Sequence, residues 1–335
     1  MRPTPRRASA LWDDASVSTT AEPAATPVEV AVVGTVNLDQ TVRVRRLPEP
    51  GESVAGEIVA TGPGGKGANQ AVAAARMGAA TALVACVGDD TAGATVLEVL
   101  AREPGLDVRG VTRAAAPTGA AFVTIDEAGG NTVVSARGAN AHLDDARVHR
   151  NGGVVAAAGV LLVQLGVAWS AVEAALDIAR GVGTLVVLDP VPADEVTDEL
   201  LRRVDVCTPN ESEAARLTGG PVDDPAGMTR AADVLLRRGC GAVVLTLGAR
   251  GAYVATRPGA GRRVAPPPVA VVDPTAAGDA FAGALAAALA RGAHLDDAVD
   301  DAVIAGALAT TRLGAVVSLP TRAEVDRSRA GLPAR

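Results

Sequence analysis

The sequence contains few aromatic, cysteine and histidine residues, and each scarcity argues against a class of protein. Only five of its 335 residues are aromatic, too few to build a stacking platform for single-stranded nucleic acid. The chain carries 31 Lys and Arg against 38 Asp and Glu, a net charge of −7, and it lacks the extended basic segment that binds phosphate backbones. We therefore expect no nucleic-acid partner.

The cysteines are Cys86, Cys207 and Cys240. They lie far apart, form no CxxC motif and have apolar neighbours. This pattern indicates buried thiols in a reducing compartment, and we expect a cytoplasmic protein. The three histidines occur in no HExxH motif and the chain has no GxSxG motif, which disfavours a histidine-bound metal and a serine hydrolase of the α/β type.

The apolar runs are short. The longest, Gly153 to Val163 and Ala280 to Ala290, have 11 residues, whereas a membrane-spanning helix needs about 20. Residues 1–27 are rich in Pro, Ala, Ser and Thr and contain no apolar segment like that of a signal peptide. We expect no membrane association, a disordered tail over 1–27, and a single domain over 28–330.

Beyond residue 28, short apolar runs alternate with longer helical stretches, a pattern typical of βαβ units around a mostly parallel sheet. The predicted strands are 28–34, 81–87, 159–165, 184–189, 204–207 and 242–247. The predicted helices are 68–77, 91–102, 170–180, 211–217, 227–238, 277–291 and 295–312. Two segments, at about 38–60 and 118–135, instead show hairpin-like strands. Hairpins do not fit inside a parallel sheet, so we expect a small accessory sheet over one of its edges.

The segment richest in glycine is TGPGGKGAN, residues 61–69, which leads into the helical sequence AVAAARMG. Gly62, Gly64 and Gly67 satisfy GxGxxG, and Asp89 follows 22 residues later, as in a dinucleotide-binding fold. That motif normally follows the first strand of the sheet, but here the first strand ends in GTVNLD. A Walker P-loop would need Ser or Thr at Gly67. The structural alternative is a glycine turn that caps a helix.

A second motif is VVDPTAAGDAFAG, residues 271–283, in which an apolar strand leads into a helix with Asp279 in its first turn. Small residues there leave backbone N–H groups open to an anion, and the positive end of the helix dipole attracts phosphate. The dipole is also expected to lower the pKa of Asp279 and keep it ionised. An ionised carboxylate beside an anion hole can accept a proton from an attacking hydroxyl. The alternative is that Asp279 is only a dipole partner.

Two further groups of polar residues admit two interpretations each. Asn210 and Glu213, in TPNESE at 208–213, match a helix N-cap with its capping-box partner, which accounts for both without any function. Their functional interpretation is that they orient the water shell of a nucleotide-bound Mg²⁺. Asn37 and Asp39 follow the first strand, either as ligand-binding residues at the sheet edge or as a loop turn.

Together, these segments resemble the ribokinase-like, or PfkB, family of sugar and nucleoside kinases. The matching segments are GTVNLD at 34–39, GGKGANQAVAAARMGA at 64–79, TPNESEA at 208–214, TLGARG at 246–251, DPTAAGDAFAGAL at 273–285 and TRLGAVVSLP at 311–320. They cover nearly the whole chain after residue 28. The resemblance implies a doubly wound α/β core with a small β-sheet lid, and a homodimer formed through the lids.

The resemblance also implies a reaction: ATP-dependent transfer of phosphate to the primary hydroxyl of a pentose, with D-ribose as the expected substrate. The implied cofactors are ATP, Mg²⁺ and K⁺, the last as a monovalent-cation activator. One alternative is a kinase for another furanose or for a nucleoside. An alternative from a different class is a sugar-binding regulator without turnover.

The resemblance assigns roles to individual residues. It makes Asp279 the catalytic base, with Ala276, Ala277 and Gly278 as the anion hole. The residues that match sugar-binding positions are Asn37, Asp39, Gly65, Lys66, Asn69 and Asp279. Those that match the nucleotide side are Asn210, Glu213, Thr246, Gly248, Gly251 and Gly278. Those that match the K⁺ site are Asp273, Thr275, Ala309, Gly314 and Ser318.

The chain departs from the family pattern at residue 166. Family members usually have QLE at the end of a central strand, whereas this chain has Gln164, Leu165 and Gly166. A carboxylate that contacts the sugar is therefore missing. The departure leaves the fold and phosphoryl transfer intact but weakens the expectation that D-ribose is the substrate.

Overall fold

A computed structural model describes residues 28–257 and 259–332. The tail predicted for residues 1–27 lies outside the described residues. The strands are β1 (Val30–Val33), β2 (Asn37–Val44), β3 (Gly56–Gly64), β4 (Thr81–Gly88), β5 (Leu106–Asp107), β6 (Val111–Ala114), β7 (Gly119–Asp126), β8 (Asn131–Ala136), β9 (Val160–Gln164), β10 (Leu185–Asp189), β11 (Val206–Cys207), β12 (Ala242–Thr246), β13 (Ala252–Arg257) and β14 (Ala260–Val264). The helices are α1 (Lys66–Arg76), α2 (Thr91–Leu100), α3 (Asp145–Arg150), α4 (Gly152–Ala157), α5 (Trp169–Val182), α6 (Asp198–Leu201), α7 (Glu211–Thr218), α8 (Pro225–Arg237), α9 (Ala277–Ala290), α10 (Leu295–Ala309) and α11 (Arg322–Ala330).

The large sheet has ten strands in the order β14-β13-β12-β11-β10-β9-β1-β4-β5, with β6 paired to β4. All pairs from β12 to β5 and β6 are parallel. The last two strands, β13 and β14, join one edge in antiparallel fashion. The prediction of a mostly parallel sheet flanked by helices is therefore confirmed.

Both faces of the large sheet are buried. In β1, Val30 and Val32 belong to one hydrophobic core, whereas Ala31 and Val33 belong to the other, because successive side chains of a strand point to opposite faces. Helices α1, α9 and α10 supply the first core, and α5 and α8 supply the second. Burial on both faces explains why the central strands are continuous apolar runs, and it confirms the doubly wound arrangement.

A second, four-stranded sheet has the order β3-β2-β7-β8. It consists of two antiparallel pairs, β2 with β3 and β7 with β8, joined by the parallel pair β2 and β7. These strands occupy the segments predicted at about 38–60 and 118–135, so the small accessory sheet is confirmed. We refer to it as the lid sheet. Its exposed large apolar side chains are Ile58, Phe122, Val133 and Val134.

Small residues allow helices α1 and α9 to pack closely. Eleven of the fourteen residues of α9 are buried. A Cβ atom at Gly283 would lie 2.5 Å from Ala73 Cβ and 2.6 Å from the backbone oxygen of Gln70, so a larger residue would push the helices apart. Their close crossing brings Gln70 and its neighbours to Asp279, one turn before Gly283.

The structure also contains elements that the sequence pattern did not predict, among them α3, α4, α6, α11 and the edge strands β13 and β14. Most are short, and β14 is rich in Gly and Arg, so none shows a full apolar period. Within residues 28–257 and 259–332, no helix has both the length and the apolar character that crossing a membrane requires.

Candidate active site

A cavity of about 590 Å³ lies beside the carboxyl ends of β9 and β10, where open α/β sheets bind ligands. Its volume is typical of small-molecule sites. The lining residues are Thr35, Asn37, Asp39, Gly65, Lys66, Asn69, Ser135, Arg137, Asn140, Gln164, Gly166, Val191, Pro192 and Asp279. All six residues predicted to bind the sugar thus line one cavity, although their role in binding stays a prediction.

Asp279 lies in the first turn of α9 and is only 6% exposed. Both carboxylate oxygens accept hydrogen bonds from α1. Oδ2 accepts from Asn69 Nδ2 at 2.8 Å, and Oδ1 accepts from Gln70 Nε2 at 3.1 Å. Lys66 Nζ lies 3.7 Å from Oδ1. The predicted base is therefore held in one orientation by three side chains from a single helix.

The pKa of Asp279 is raised, so the expectation that the helix dipole lowers it is wrong. Burial is the largest cause, and the charge of Asp189 adds to it, whereas Lys66, Asn69 and Gln70 act in the opposite direction. Loss of solvation outweighs the local donors. Once ionised, a carboxylate with a raised pKa is a stronger proton acceptor, which favours a role for Asp279 as a base.

Lys66, the first residue of α1, is the only lysine in the chain. Its Nζ donates to Asp189 Oδ2 at 2.9 Å. Burial alone would lower the pKa of this ammonium group, but the charges of Asp189 and Asp279 outweigh burial and raise the pKa. Lys66 therefore stays protonated and supplies a fixed positive charge to the cavity.

Gln70 joins the two buried carboxylates. Its Nε2 donates to Asp189 Oδ2 at 2.7 Å as well as to Asp279 Oδ1, and its Oε1 accepts a hydrogen bond from Gln164 Nε2. The side chains of this network are each at most 6% exposed; they are Gln70, Gln164, Asp189 and Asp279. They form a continuous network from strand β9 through α1 to β10 and α9.

Residues near the lid sheet form a second network. Asn140 Nδ2 donates to Asn37 Oδ1 at 2.9 Å, and Asn140 also bonds both polar backbone atoms of Val36, at 2.8 and 3.1 Å. Asn37 in turn hydrogen-bonds Asp39. Burial raises the pKa of Asp39 to about 6, even though its hydrogen bonds act to lower it.

Three buried acceptor atoms of residues that line the cavity have no hydrogen-bond partner among the residues that the structure describes. They are Asp39 Oδ1, Asn69 Oδ1 and Gln164 Oε1. Buried polar atoms are almost always paired in native proteins, so unpartnered acceptors in a cavity indicate a ligand that brings donors. A molecule with several hydroxyl groups satisfies this requirement.

The backbone before α9 is strained. Ala276 has φ 60°, and it is the only non-glycine residue with a positive φ in the described part of the chain; such strain is typical of functional sites. The first bond of α9 runs from Ala280 N to Ala276 O at 2.8 Å. The N–H groups of Ala277, Gly278 and Asp279 precede it, and that of Ala277 already contacts Pro274 O at 3.3 Å.

On the predicted nucleotide side, Asn210 and Glu213 form the capping box of α7. Asn210 Oδ1 accepts from Glu213 N at 2.9 Å, and the carboxylate of Glu213 accepts from Asn210 N and Nδ2 at 2.9 and 2.7 Å. Thr246 pairs with Asn210 in an isolated parallel bridge. Gly248 and Gly251, with φ of 53° and 83°, shape the turn after β12. These residues adjoin one another, although nucleotide binding by them stays a prediction.

The charges of the two sides are coupled through Glu213. Burial raises the pKa of Glu213 to about 7, with a further contribution from the charge of Asp189, whereas Lys66 acts to lower it. The side chain therefore senses the same ion pair that faces Asp279.

Asp273 connects three of the five residues predicted to bind K⁺. Its Oδ1 accepts from Thr275 N and Oγ1 at 2.9 and 2.6 Å, and its Oδ2 accepts from Gly314 N at 2.8 Å. The backbone N–H of Asp273 donates to the carbonyl of the residue after Ala309. Ser318 is fully buried on the same loop as Gly314. The five residues thus lie on the loop before α9 and on the end of α10 with the loop that follows it.

The structure disfavours dinucleotide binding by the glycine-rich segment. The strand before the turn, β3, belongs to the lid sheet rather than to the large sheet. The required acidic residue, Asp89, is exposed and lies 3.5 Å from Arg113. The glycine turn instead starts α1, with Gly65 as its N-cap at φ 84°.

Four residues of the site, Gln70, Asn140, Gln164 and Asp189, had no predicted role. Two of them left a signal, since Gln164 and Asp189 are polar residues at the carboxyl ends of apolar strands, where open α/β sheets bind ligands. Gln70 is one turn after Lys66 in an otherwise Ala-rich helix. Asn140 follows a loop and left no comparable signal.

The architecture and the cavity together define a binding site for a small hydroxylated molecule at the edge of an α/β sheet. The sequence matches the pfkB family of carbohydrate kinases over residues 28–322, and the chain belongs to this family. Among curated relatives, ribokinase of Haemophilus influenzae is 40% identical over 296 residues, which are 88% of this chain and 96% of the relative. Ribokinase of Schizosaccharomyces pombe is 36% identical over 312 residues, 90% of this chain and 98% of the relative.

Solved structures agree with this assignment. Ribokinase from Thermotoga maritima has a TM-score of 0.82 at 32% identity, over 91% of this chain and 100% of its own. Arabidopsis thaliana ribokinase, solved as a complex with ribose and ATP, has a TM-score of 0.84 at 30% identity, over 90% of this chain and 99% of its own. The family, the fold and the kinase class predicted from the sequence are confirmed.

Proposed function

We propose that the protein phosphorylates the primary hydroxyl of D-ribose, with ATP as the phosphoryl donor. The relatives named above are ribokinases, and one was solved with both ligands. The observation that carries the proposal is the group of three unpartnered acceptors in the cavity that holds Asp279. A pentose carries several hydroxyl groups, so it can donate to acceptors of this kind and present a further hydroxyl to the base.

In the proposed reaction, Asp279 accepts the proton of the primary hydroxyl as the hydroxyl oxygen attacks. The proton moves to the Asp279 carboxylate, and the sugar oxygen gains the bond to phosphorus. Bound ATP supplies the phosphoryl group, and ADP is the leaving group. The N–H groups of Gly278 and Asp279 at the start of α9 stabilise negative charge on the phosphoryl group during its transfer, and Lys66 adds a positive charge nearby.

Asn210 and Glu213 fit Mg²⁺ only through water. In the capping box, the side-chain amide of Asn210 and the carboxylate of Glu213 are already hydrogen-bonded within the pair. They can therefore orient the water molecules that Mg²⁺ usually retains, but they do not replace those waters as ligands. The pKa of Glu213, about 7, makes its charge at neutral pH responsive to a nearby divalent cation.

A coupled assay of ADP release over a panel of pentoses, hexoses and nucleosides tests the proposed function. D-ribose should give the highest kcat/KM. Preferential turnover of a nucleoside would favour the alternative of a nucleoside kinase. Binding of ribose in calorimetry without ADP release, with Mg²⁺ and K⁺ present, would favour the non-catalytic regulator.

A prediction about Gly166 separates ribose from a bulkier substrate. Gly166 lines the cavity, and a Cβ atom at this position would lie 2.6 Å from Thr35 Cγ2. The Gly166→Glu substitution should therefore be combined with Thr35→Ser, which removes the obstructing methyl group and keeps the hydroxyl. In a ribose kinase the double variant should lower KM for ribose by about tenfold, through a charge-assisted hydrogen bond, with kcat nearly unchanged.

The Thr35→Ser single variant is the matched reference: Thr35 itself lines the cavity, so the effect of the carboxylate is the difference between the double variant and this single variant. If the double variant abolishes turnover of a bulkier preferred substrate, the glycine serves to admit that substrate. An unchanged KM for ribose would mean that a carboxylate at position 166 does not reach the sugar.

We further propose that K⁺ binds between the loops that carry Asp273 and Gly314. Carboxylate, hydroxyl and carbonyl oxygens are available there from the five predicted residues, a donor set that suits a large cation of low charge density. Replacing K⁺ by Na⁺ or by tetramethylammonium should lower kcat, because the loop before Asp279 would lose the bound cation that stabilises its conformation. Equal rates in the three cations would contradict this site.

We also propose that two copies of the chain associate through their lid sheets in the cytoplasm. Strand β8 is exposed along its length, and the four large apolar side chains of the lid sheet are 48% to 66% exposed. In the register of the lid sheet, Ile58, Phe122 and Val134 share one face, whereas Val133 points to the other. An exposed apolar face marks an association surface, and a second copy covers it with the same three residues. Three buried, unpaired cysteines support a reducing compartment.

A further inference from the structure

We propose that Asp189 is a positioning residue for the proton transfer: it holds the Lys66 ammonium group and, through Gln70, fixes the geometry and the basicity of Asp279. The inference rests on the proposed function, in which Asp279 accepts the proton of a substrate hydroxyl. It adds a role for a residue at the end of β10 that does not itself line the cavity.

Three elements bring the network together. Asp189 ends β10, Lys66 and Gln70 are one turn apart on α1, and Asp279 begins α9. Asp189 Oδ2 accepts from Lys66 Nζ at 2.9 Å and from Gln70 Nε2 at 2.7 Å. The same two donors lie 3.7 and 3.1 Å from Asp279 Oδ1. Each donor is therefore shared, and each lies closer to Asp189.

The orientation of the Gln70 amide follows from its partners. Two carboxylates face one end of the amide, so this end must be the NH₂ group, and Oε1 must face Gln164. Because Asp189 Oδ2 and Asp279 Oδ1 contact the same nitrogen, they lie within about 6 Å of each other. At that separation in a buried site, two negative charges interact strongly.

This arrangement determines how basic Asp279 is. Asp189 draws the ammonium of Lys66 toward itself and adds a second negative charge, and both effects favour a proton on Asp279. With a neutral residue at 189, Lys66 would pair with Asp279 alone, and the base would be weaker. The other charged residues coupled to this network, Asp39 beside Asp279 and Glu213 beside Lys66, remain in place when only residue 189 changes.

The pH dependence of kcat/KM tests the proposal. Asp279 must be ionised to act, so activity should fall as the pH drops through its raised pKa. In Asp189→Asn, which keeps the size of the side chain, this acid limb should move down by about one to two pH units, and kcat should fall by about three- to tenfold. Asp189→Glu, which restores the charge, should return the limb towards its original position.

Asp89→Asn is the matched control, since it removes one carboxylate from an exposed site and should leave the pH profile unchanged. A purely structural role for Asp189 predicts lower stability or lower activity in Asp189→Asn with the acid limb at the position of the parent protein. That result would overturn the proposal.

A second measurement needs no substrate and uses the single lysine of the chain. Protein labelled with ¹³C at the lysine ε-carbon gives one lysine signal, which should titrate as Asp279 ionises. The inflection that disappears in Asp279→Asn is the one due to Asp279, and it should lie at lower pH in Asp189→Asn than in the parent. An Asp279 inflection at the same pH in both proteins would refute the coupling.

The two measurements distinguish two kinds of failure. A parent protein that releases no ADP with any compound of the panel contradicts the proposed function. The lysine titration then still decides whether Asp189 controls the ionisation of Asp279.

Discussion

The Asp279→Asn variant is expected to lose ~10²- to 10⁴-fold in kcat, the usual contribution of a general base, while it continues to bind the sugar. The substitution keeps the size of the side chain and removes its ability to accept a proton. The fold should tolerate the change because Asn69 Oδ1 has no partner in the described structure. After an amide flip, this oxygen can accept from the new NH₂ group.

Single-turnover kinetics and calorimetry with ribose measure the two effects separately. Asp89→Asn serves again as the control for loss of one carboxylate, and its kcat should match that of the parent. If Asp279→Asn kept more than about a tenth of the parental kcat, the loss would be too small for a general base, and another residue would have to accept the proton.

The Lys66→Met variant is expected to lose ~10²- to 10³-fold in kcat/KM, the scale observed when one charge-stabilising donor is removed from an active site. Asp189 and Asp279 would then share a buried site without the ammonium group that lies between them. Since Lys66 lowers the pKa of Asp279, its removal should raise that pKa further and leave less of the base ionised at neutral pH. The residual activity should therefore recover in part as the pH is raised.

Lys66→Arg tests whether charge alone is sufficient. A planar guanidinium group cannot take the place of a compact ammonium group between two carboxylates, so this variant should also be severely impaired. Arg102→Met, which removes an exposed ion pair with Glu98 just after the end of α2, controls for the loss of one positive charge. Activity in Lys66→Arg equal to that of the parent would show that the site requires only a positive charge at this position.

The sequence was sufficient for those parts of the fold that depend on local pattern. Strands such as β1, β4 and β9 are apolar on both faces, and β4 lies between the predicted helices α1 and α2. Both the sheet and its parallel character were therefore predictable. Strands β13 and β14 form an edge hairpin in which the apolar run of β13 is only four residues long and β14, AGRRV, is mixed. Short segments of this kind are hard to distinguish from loops in sequence.

The candidate site divides in the same way. Asp279 and Lys66 belong to motifs whose glycines and small residues are visible within a few positions. Asp189 gains its role only from Lys66, 123 positions away in the chain. Its place at the end of an apolar strand therefore marks it as a site residue but does not reveal that role. The predicted direction of the Asp279 pKa shift was wrong for a related reason. A helix dipole is a local property that the sequence shows, whereas burial depends on the whole fold.

The contact between α1 and α9 through Gly283 also separates the cavity residues into two groups, those on the packed helices and those on the lid sheet. Asn69, Gln70 and Asp279 lie on helices packed too closely to move apart, whereas Asp39 lies on strand β2 of the lid sheet. A displacement of strand β2 would therefore move Asp39 relative to Asp279, whose two amide donors are held by the packing of α1 against α9. Under the proposed function, a change in the position of Asp39 can consequently alter the fit of the sugar while the hydrogen bonds that orient Asp279 stay in place.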